Sequence, residues 1–347
     1  MRNSKNYIRA IAFLAVVVIL NALMDYVMLH PYYTQNLERD LKKQGDIDIL
    51  FLGDSLTASL YNSELIGKEL GGTAFTMGFA SANFETCRIV LEDALKSRKI
   101  GTVVLNWDLR DSGRGLPSQQ KSYYAELFFN TPFSRTSLKL IPHLMRIRYT
   151  EVMQLWSGYF DPRDIIEVVK VKNSPEYKRG DVVIWHPAKQ PRKYLGQGCY
   201  AYLMTEDRAD GAKLEMSPFN SDCSDIPEEN VELLREMKEM CDSHGTRLMA
   251  IASPQPQSVL ENWGNYDDAL ERTRRVLDKL GIGFVDTNRL DEFKELQKDE
   301  YFRDIWGHMF YPQIDDYSKK ICGILKEVGY LDTKKADEKN EKKEKER

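Results

Sequence analysis

At 347 residues the chain can hold one large domain or two modest ones, with length enough for a substantial core. Its 49 basic and 53 acidic residues leave a net charge of −4, which lacks the strongly basic balance of a nucleic-acid binder. Five scattered cysteines without a Cys-x-x-Cys pair speak against a zinc or redox motif, and their odd number against a complete disulfide framework, leaving a single bridge such as Cys199–Cys223 open.

Arg2, Lys5 and Arg9 precede an apolar run over residues 10–29 that only Asn21 and Asp25 interrupt. About 20 such residues suffice to cross a bilayer as a helix. A cleaved signal peptide is the rival reading, with an apolar core of about 7–15 residues. No convincing small-x-small cleavage site follows, and Tyr26, Tyr32 and Tyr33 suit a membrane interface, so the run reads as an uncleaved anchor. Basic residues ahead of the span, and few just behind it, put residues 1–9 in the cytoplasm and the bulk outside the cell membrane.

Residues 30–331 then read as one extracytoplasmic domain. "IDILFLG" at Ile47–Gly53 predicts a buried strand, and residues 56–70 a helix closed by Gly71 and Gly72. Residues 73–79 predict a second strand, 83–99 an amphipathic helix and 101–109 a third strand. After a long gap, residues 246–254 predict a fourth strand, 268–281 a helix and 282–288 a fifth strand. Strands alternating with helices predict a parallel sheet covered on both faces. Sites in such sheets collect at the carboxyl ends of the strands.

The gap, about 112–230, is an aromatic-rich insertion with helical patterning around 134–157. A lid, a partner surface, a membrane-facing ledge and a small satellite core all fit it. Residues 332–347, "DTKKADEKNEKKEKER" without apolar periodicity, predict a disordered tail.

Ser55 stands at the predicted carboxyl end of the first strand, where a following helix offers free N–H groups. Two readings fit: a nucleophile beside an oxyanion site, or a cap in which Asp54 or Ser55 merely starts the helix. A serine hydroxyl needs a base, normally a histidine oriented by a carboxylate. Of five histidines, His30 lies at the membrane edge, His143 and His186 in the insertion, and His244 in a polar loop. His308, in "YFRDIWGHMFYPQ" past the fifth strand, reaches the same rim as Ser55 and has Asp304 four residues ahead. No two histidines share a helical or strand face at ligand spacing, and no Walker or dinucleotide glycine loop appears, so neither metal nor cofactor is expected.

Together these segments resemble the SGNH/GDSL hydrolase family over residues 45–330. Its Gly-Asp-Ser-Leu block is matched by Gly53, Asp54, Ser55 and Leu56, and its terminal acid–histidine block by Asp304 and His308. The resemblance implies a flavodoxin-like three-layer α/β/α sandwich with about five parallel strands, here with an N-terminal transmembrane helix. It implies oxyanion or substrate contacts near Gly78, Ser81 and Asn106, with Asp108 as either a structural carboxylate or a substrate contact. Three residues separate Asp304 from His308 where the family usually has two, Ser81 stands near a usual glycine, and "VVLNWDLRD" gives no clean Gly-x-Asn-Asp.

The anchored, inserted architecture is similar to the cell-envelope branch of the family, whose members work beside membrane-bound O-acyltransferases in teichoic-acid D-alanylation and alginate acetylation. The implied function is a serine O-acyltransferase acting on a cell-envelope polysaccharide or teichoic-type polymer through acyl-Ser55. An extracytoplasmic carbohydrate or lipid esterase is the second reading. A non-catalytic accessory protein that binds a membrane O-acyltransferase is the third.

Overall fold

The computed structural model describes residues 2–28, 33–79, 82–110, 165–175, 192–204 and 214–329, together with Lys139 and Pro142. Apart from Lys139 and Pro142, the stretch 134–157 expected to be helical lies outside the described residues, as do His30, His143, His186, Ser81 and the charged tail.

Helix α1 (Arg2–Met28) leads into α2 (Tyr33–Lys43) and then β1 (Ile47–Gly53). Short α3 (Ser55–Ala58) and α4 (Ser63–Leu70) precede β2 (Ala74–Gly78), α5 (Phe84–Ser97) and β3 (Ile100–Trp107). The insertion supplies α6 (Ile165–Asn173), β4 (Arg192–Gly196) and β5 (Cys199–Leu203). Then come α7 (Glu228–Ser243), β6 (Arg247–Ala252), α8 (Gln257–Asn262), α9 (Tyr266–Lys279) and β7 (Gly283–Asp286). Short 3-10 turns lead to β8 (Phe310–Tyr311) and α10 (Gln313–Glu327).

The main sheet has the order β2-β1-β3-β6-β7, and every pairing is parallel. Counted along the chain this is 2-1-3-4-5, the doubly wound order of flavodoxin-like folds. The apolar runs of the strands follow from burial on both faces. Leu50 and Leu52 pack with Val90 and Leu91 of α5, Leu234 and Met237 of α7, and Leu270 of α9. Ile49 and Phe51 point to the other layer, with Ile66 of α4 and Ile314, Tyr317 and Ile321 of α10. Each such fully buried side chain contributes about 1.5–3 kcal/mol relative to exposure.

The single helix expected at 56–70 is two. The Ser59 hydroxyl donates back to the Ser55 carbonyl at 2.9 Å, which competes with the helix ladder and ends α3. The freed turn drops Tyr61 into the core, its ring stacked on Phe51 at 4.2 Å. Asn62 then caps α4, accepting from the Leu65 N–H at 3.2 Å.

The insertion is not wholly separate from this core. Its hairpin β4–β5 forms a second, three-stranded sheet with β8, in which Tyr202 is opposite Phe310. The hairpin turn presses on β2: the Thr76 N–H donates to the Gln197 carbonyl at 2.9 Å. Only glycine fits at Gly198, where a Cβ would stand 1.9 Å from the Thr76 carbonyl oxygen.

All five cysteines are free, so the Cys199–Cys223 bridge is absent. Cys199 is buried within β5, and its thiol faces the Tyr200 carbonyl. Cys223 sits instead beside the Asn265 amide, 3.1 Å from its Nδ2.

Among the described residues no helix is long and apolar enough to cross a membrane. Along α1 the large apolar side chains Ile11, Phe13, Leu14, Ile19 and Leu20 are nonetheless exposed. Near its end, the Tyr26 hydroxyl donates to Asn173 Oδ1 at 3.1 Å and Lys172 Nζ donates to the Tyr26 carbonyl at 2.7 Å, which docks α6 against it.

Candidate active site

Strands β1 and β2 end in register at Gly53 and Gly78, and α3 folds back over both. A Cβ at Gly53 would meet Thr57 Oγ1 at 2.2 Å, and one at Gly78 would meet the Ala58 nitrogen at 2.3 Å. The paired glycines therefore let the turn carrying Ser55 sit directly on the strand ends. The cap of α3 is Asp54, whose Oδ1 accepts from the Leu56 N–H at 2.9 Å and the Thr57 N–H at 3.4 Å. That leaves the Ser55 hydroxyl for another partner.

The partner is His308, whose Nε2 lies 3.0 Å from Ser55 Oγ. On its other side, His308 Nδ1 stands 3.0 Å from Asp304 Oδ1 and 2.9 Å from Oδ2. A proton on Nδ1 satisfies both contacts: the ring donates to Asp304 and accepts from Ser55. Burial pushes the Asp304 carboxyl up, but the hydrogen bond and charge of His308, with Arg303 beside it, bring it below the usual range. Asp304 is therefore ionised at neutral pH.

The chain matches no protein-family model, and no curated protein matches it.

The local fold explains how Asp304 reaches His308 across three residues. Phe302 and Met309 pair as an antiparallel bridge, and the Arg303 N–H donates to the His308 carbonyl at 2.8 Å, closing residues 303–308 into a tight loop. Asp304 Oδ1 also accepts from the Trp306 N–H at 3.1 Å. Gly307 adopts φ +99°, a conformation that side chains with a Cβ rarely take.

The three residues assigned to oxyanion or substrate contact are differently placed. Gly78 provides the close packing under α3 described above. Asn106, buried in β3, is engaged internally: its Oδ1 accepts from the Tyr61 hydroxyl at 3.0 Å and its Nδ2 donates to Ser253 Oγ at 2.8 Å. Ser81 lies outside the described residues. Asp108 Oδ1 accepts from the Arg110 N–H at 2.8 Å. Burial, with the charge of Asp108, pushes the Asp54 carboxyl up to about 6.

Sequence reasoning missed three neighbours. Tyr202, from the insertion, sets its ring edge-on to His308 with centroids 5.5 Å apart. The Arg303 guanidinium lies 4.7 Å from the Tyr202 ring centre and 3.6 Å from Asp304 Oδ2. Arg110 reaches the acid–histidine loop itself. No local pattern marks Tyr202 or Arg110, because their partners are about 100 and 195 residues away, and Arg303 beside Asp304 gives no sign that it also reaches Tyr202.

Among the described residues no group of three His, Cys, Asp or Glu side chains is placed to hold a metal ion. A cavity of about 360 Å³ lined by Leu260, Trp263, Tyr266, Asp267 and Arg289 includes neither Ser55 nor His308.

Proposed function

We propose that this protein is a membrane-anchored serine O-acyltransferase of the SGNH type, acting on a cell-envelope polysaccharide or teichoic-type polymer through an acyl-Ser55 intermediate. The observation that carries the chemistry is the unbroken chain from Ser55 Oγ through His308 to Asp304, at 3.0 and 2.9 Å. The strand order of the main sheet is compatible with the SGNH hydrolase fold.

In this reading His308 Nε2 takes the Ser55 proton as Oγ attacks the donor's acyl carbonyl, a role worth about 10²–10⁴-fold in rate. Ionised Asp304 supports the imidazolium that forms. The tetrahedral adduct collapses, the donor's leaving group receives the proton from His308, and acyl-Ser55 remains. A sugar or polyol hydroxyl then gives its proton to His308 and attacks the acyl group, and collapse returns the proton to Ser55. The developing oxyanion would rest on backbone N–H groups, that of Ser55 first among them. With water as acceptor the same steps make an esterase.

Anchoring supports transfer over hydrolysis, since an anchored enzyme meets polymer and partner continuously. Its basis is the sequence pattern alone, an apolar run over residues 10–29 behind Arg2, Lys5 and Arg9, about the 20 residues that a span needs. The topology proposed is a single pass with residues 1–9 cytoplasmic and a membrane-bound O-acyltransferase as partner.

Intact-mass analysis of the full-length protein after exposure to a fluorophosphonate tests the chemistry. One adduct on the wild type, absent from Ser55→Ala and His308→Ala, is the expected result. No adduct on the folded wild type would overturn the catalytic reading in favour of a binding role. An acyl donor supplied with glycan or with water alone then separates transferase from esterase.

A further inference from the structure

The departure at the acid–histidine block is the most informative feature of the site. Three residues, Ile305, Trp306 and Gly307, must arch between Asp304 and His308 without loosening either. An arch of this kind turns backbone carbonyls outward, and each needs a donor. Both Ile305 and Trp306 find theirs in one side chain: Arg110 Nη1 donates to the Ile305 carbonyl at 2.7 Å and Nη2 to the Trp306 carbonyl at 2.8 Å. The guanidinium also lies over the Trp306 indole, 4.8 Å from its centre.

Arg110 is itself fixed. Its side chain is 8 % exposed, and Nε stands 3.6 Å from Asp108 Oδ1, the same oxygen that accepts its backbone N–H. It follows β3 by three residues, at the sheet rim beside the Ser55 turn. From the other side, Gly307 rests against the Pro254 carbonyl just past β6. The arch is thus gripped between the exits of β3 and β6. Only arginine suits the first grip, because its planar fork presents two parallel N–H groups to two carbonyls, which a lysine ammonium cannot do.

We propose that Arg110 is the positioning residue that holds Asp304 against His308 across the three-residue gap. The inference rests on the triad reading above, deepens it, and assigns Arg110 no contact with substrate. It predicts that losing the fork lets the arch relax, separating the Asp304 carboxylate from Nδ1 while Ser55 stays in place.

The test uses the full-length protein and two readouts. The first is the far-downfield proton resonance of the His308 Nδ1–H, assigned by its absence from His308→Gln. The second is the rate of fluorophosphonate addition to Ser55. Arg110→Met is expected to lose or shift the resonance as Asp304→Asn does. It should slow labelling about 10²-fold, the cost of misplacing a catalytic group by about 1 Å.

Arg110→Lys should recover part of both signals. Wild-type resonance and wild-type labelling in Arg110→Met would overturn the proposal. Should Arg110→Met fail to fold, the lysine variant decides: partial loss supports the fork, and wild-type values refute it. A wild type that forms no adduct would sink the catalytic reading alone, because the resonance still reports whether Arg110 holds the pair.

Discussion

A Cβ atom at Gly307 would stand 2.6 Å from the carbonyl oxygen of Pro254. The glycine is required twice, since its φ of +99° is also one that other residues resist. Backbone strain of this kind costs about 1–3 kcal/mol, and the clash forces the loop to move in addition. Gly307→Ala is therefore expected to lower stability in chemical denaturation and to lose Ser55 labelling. Gly245→Ala is the control, because Gly245 has φ +68° but nothing within 4 Å of an added Cβ. It should lose stability and keep labelling. Equal labelling in the two variants would show that the Gly307 contact does not position His308.

Asp304 separates a working triad from a serine–histidine pair. Asn at this position keeps the size but donates where the carboxylate accepts, which favours the wrong tautomer of His308. The equivalent change in serine proteases lowers kcat about 10⁴-fold. Asp304→Asn should slow fluorophosphonate addition by at least about 10²-fold while circular dichroism stays unchanged. Labelling at the wild-type rate would mean that the acid does not orient the base.

Asn106 offers a contrast between structure and catalysis. Its amide is held between Tyr61 and Ser253, so Asn106→Ala takes the acceptor from the buried Tyr61 hydroxyl, while Ser253 Oγ keeps the Trp107 carbonyl at 3.5 Å. Orphaned buried groups cost about 1–3 kcal/mol each. The expected outcome is a loss of stability with labelling largely kept. An oxyanion donor would behave in reverse, with a loss of about 10²–10³-fold in rate and little change in stability.

The strands of the main sheet were legible because each is an apolar run with turn residues at its end. "IDILFLG" closes on Gly53, and "GFVD" on an aspartate that caps the next turn. The helix break was not legible, since the local back-bond of Ser59 acts together with a tertiary pull: Tyr61 leaves the helix to stack on Phe51. The pairing of Ser55 with the Asp304–His308 block could be read from motif and order. The clamp could not, because Arg110 meets its acceptors 195 and 196 residues away. The small sheet was equally hidden, because β8 is only two residues long and its partners lie in an insertion whose aromatics fit several roles.

The half-buried carboxyl at the start of α3 gives the site a pH signature in stability. Burial, with the charge of Asp108, raises Asp54 from 3.8 to about 6, so the folded state holds its proton more tightly than the unfolded chain. Stability from this group is fully present below about pH 4, where both states are protonated, and is lost as pH rises through about 6. At about 1.4 kcal/mol per unit, the shift sets a ceiling of about 3 kcal/mol on that loss. Asp54→Asn keeps an oxygen for the Leu56 N–H and removes the titration. Relative to wild type it should therefore gain stability between pH 4 and pH 7, measured by urea unfolding of both full-length proteins. Asp304 works in the opposite sense: its lowered pKa adds stability above the unfolded value and loses it in more acidic solution, below the window of the comparison. A stability difference between wild type and Asp54→Asn that stays flat from pH 4 to pH 7 would mean that Asp54 is ionised in the folded protein throughout, held by its two backbone donors and His308 against burial and Asp108.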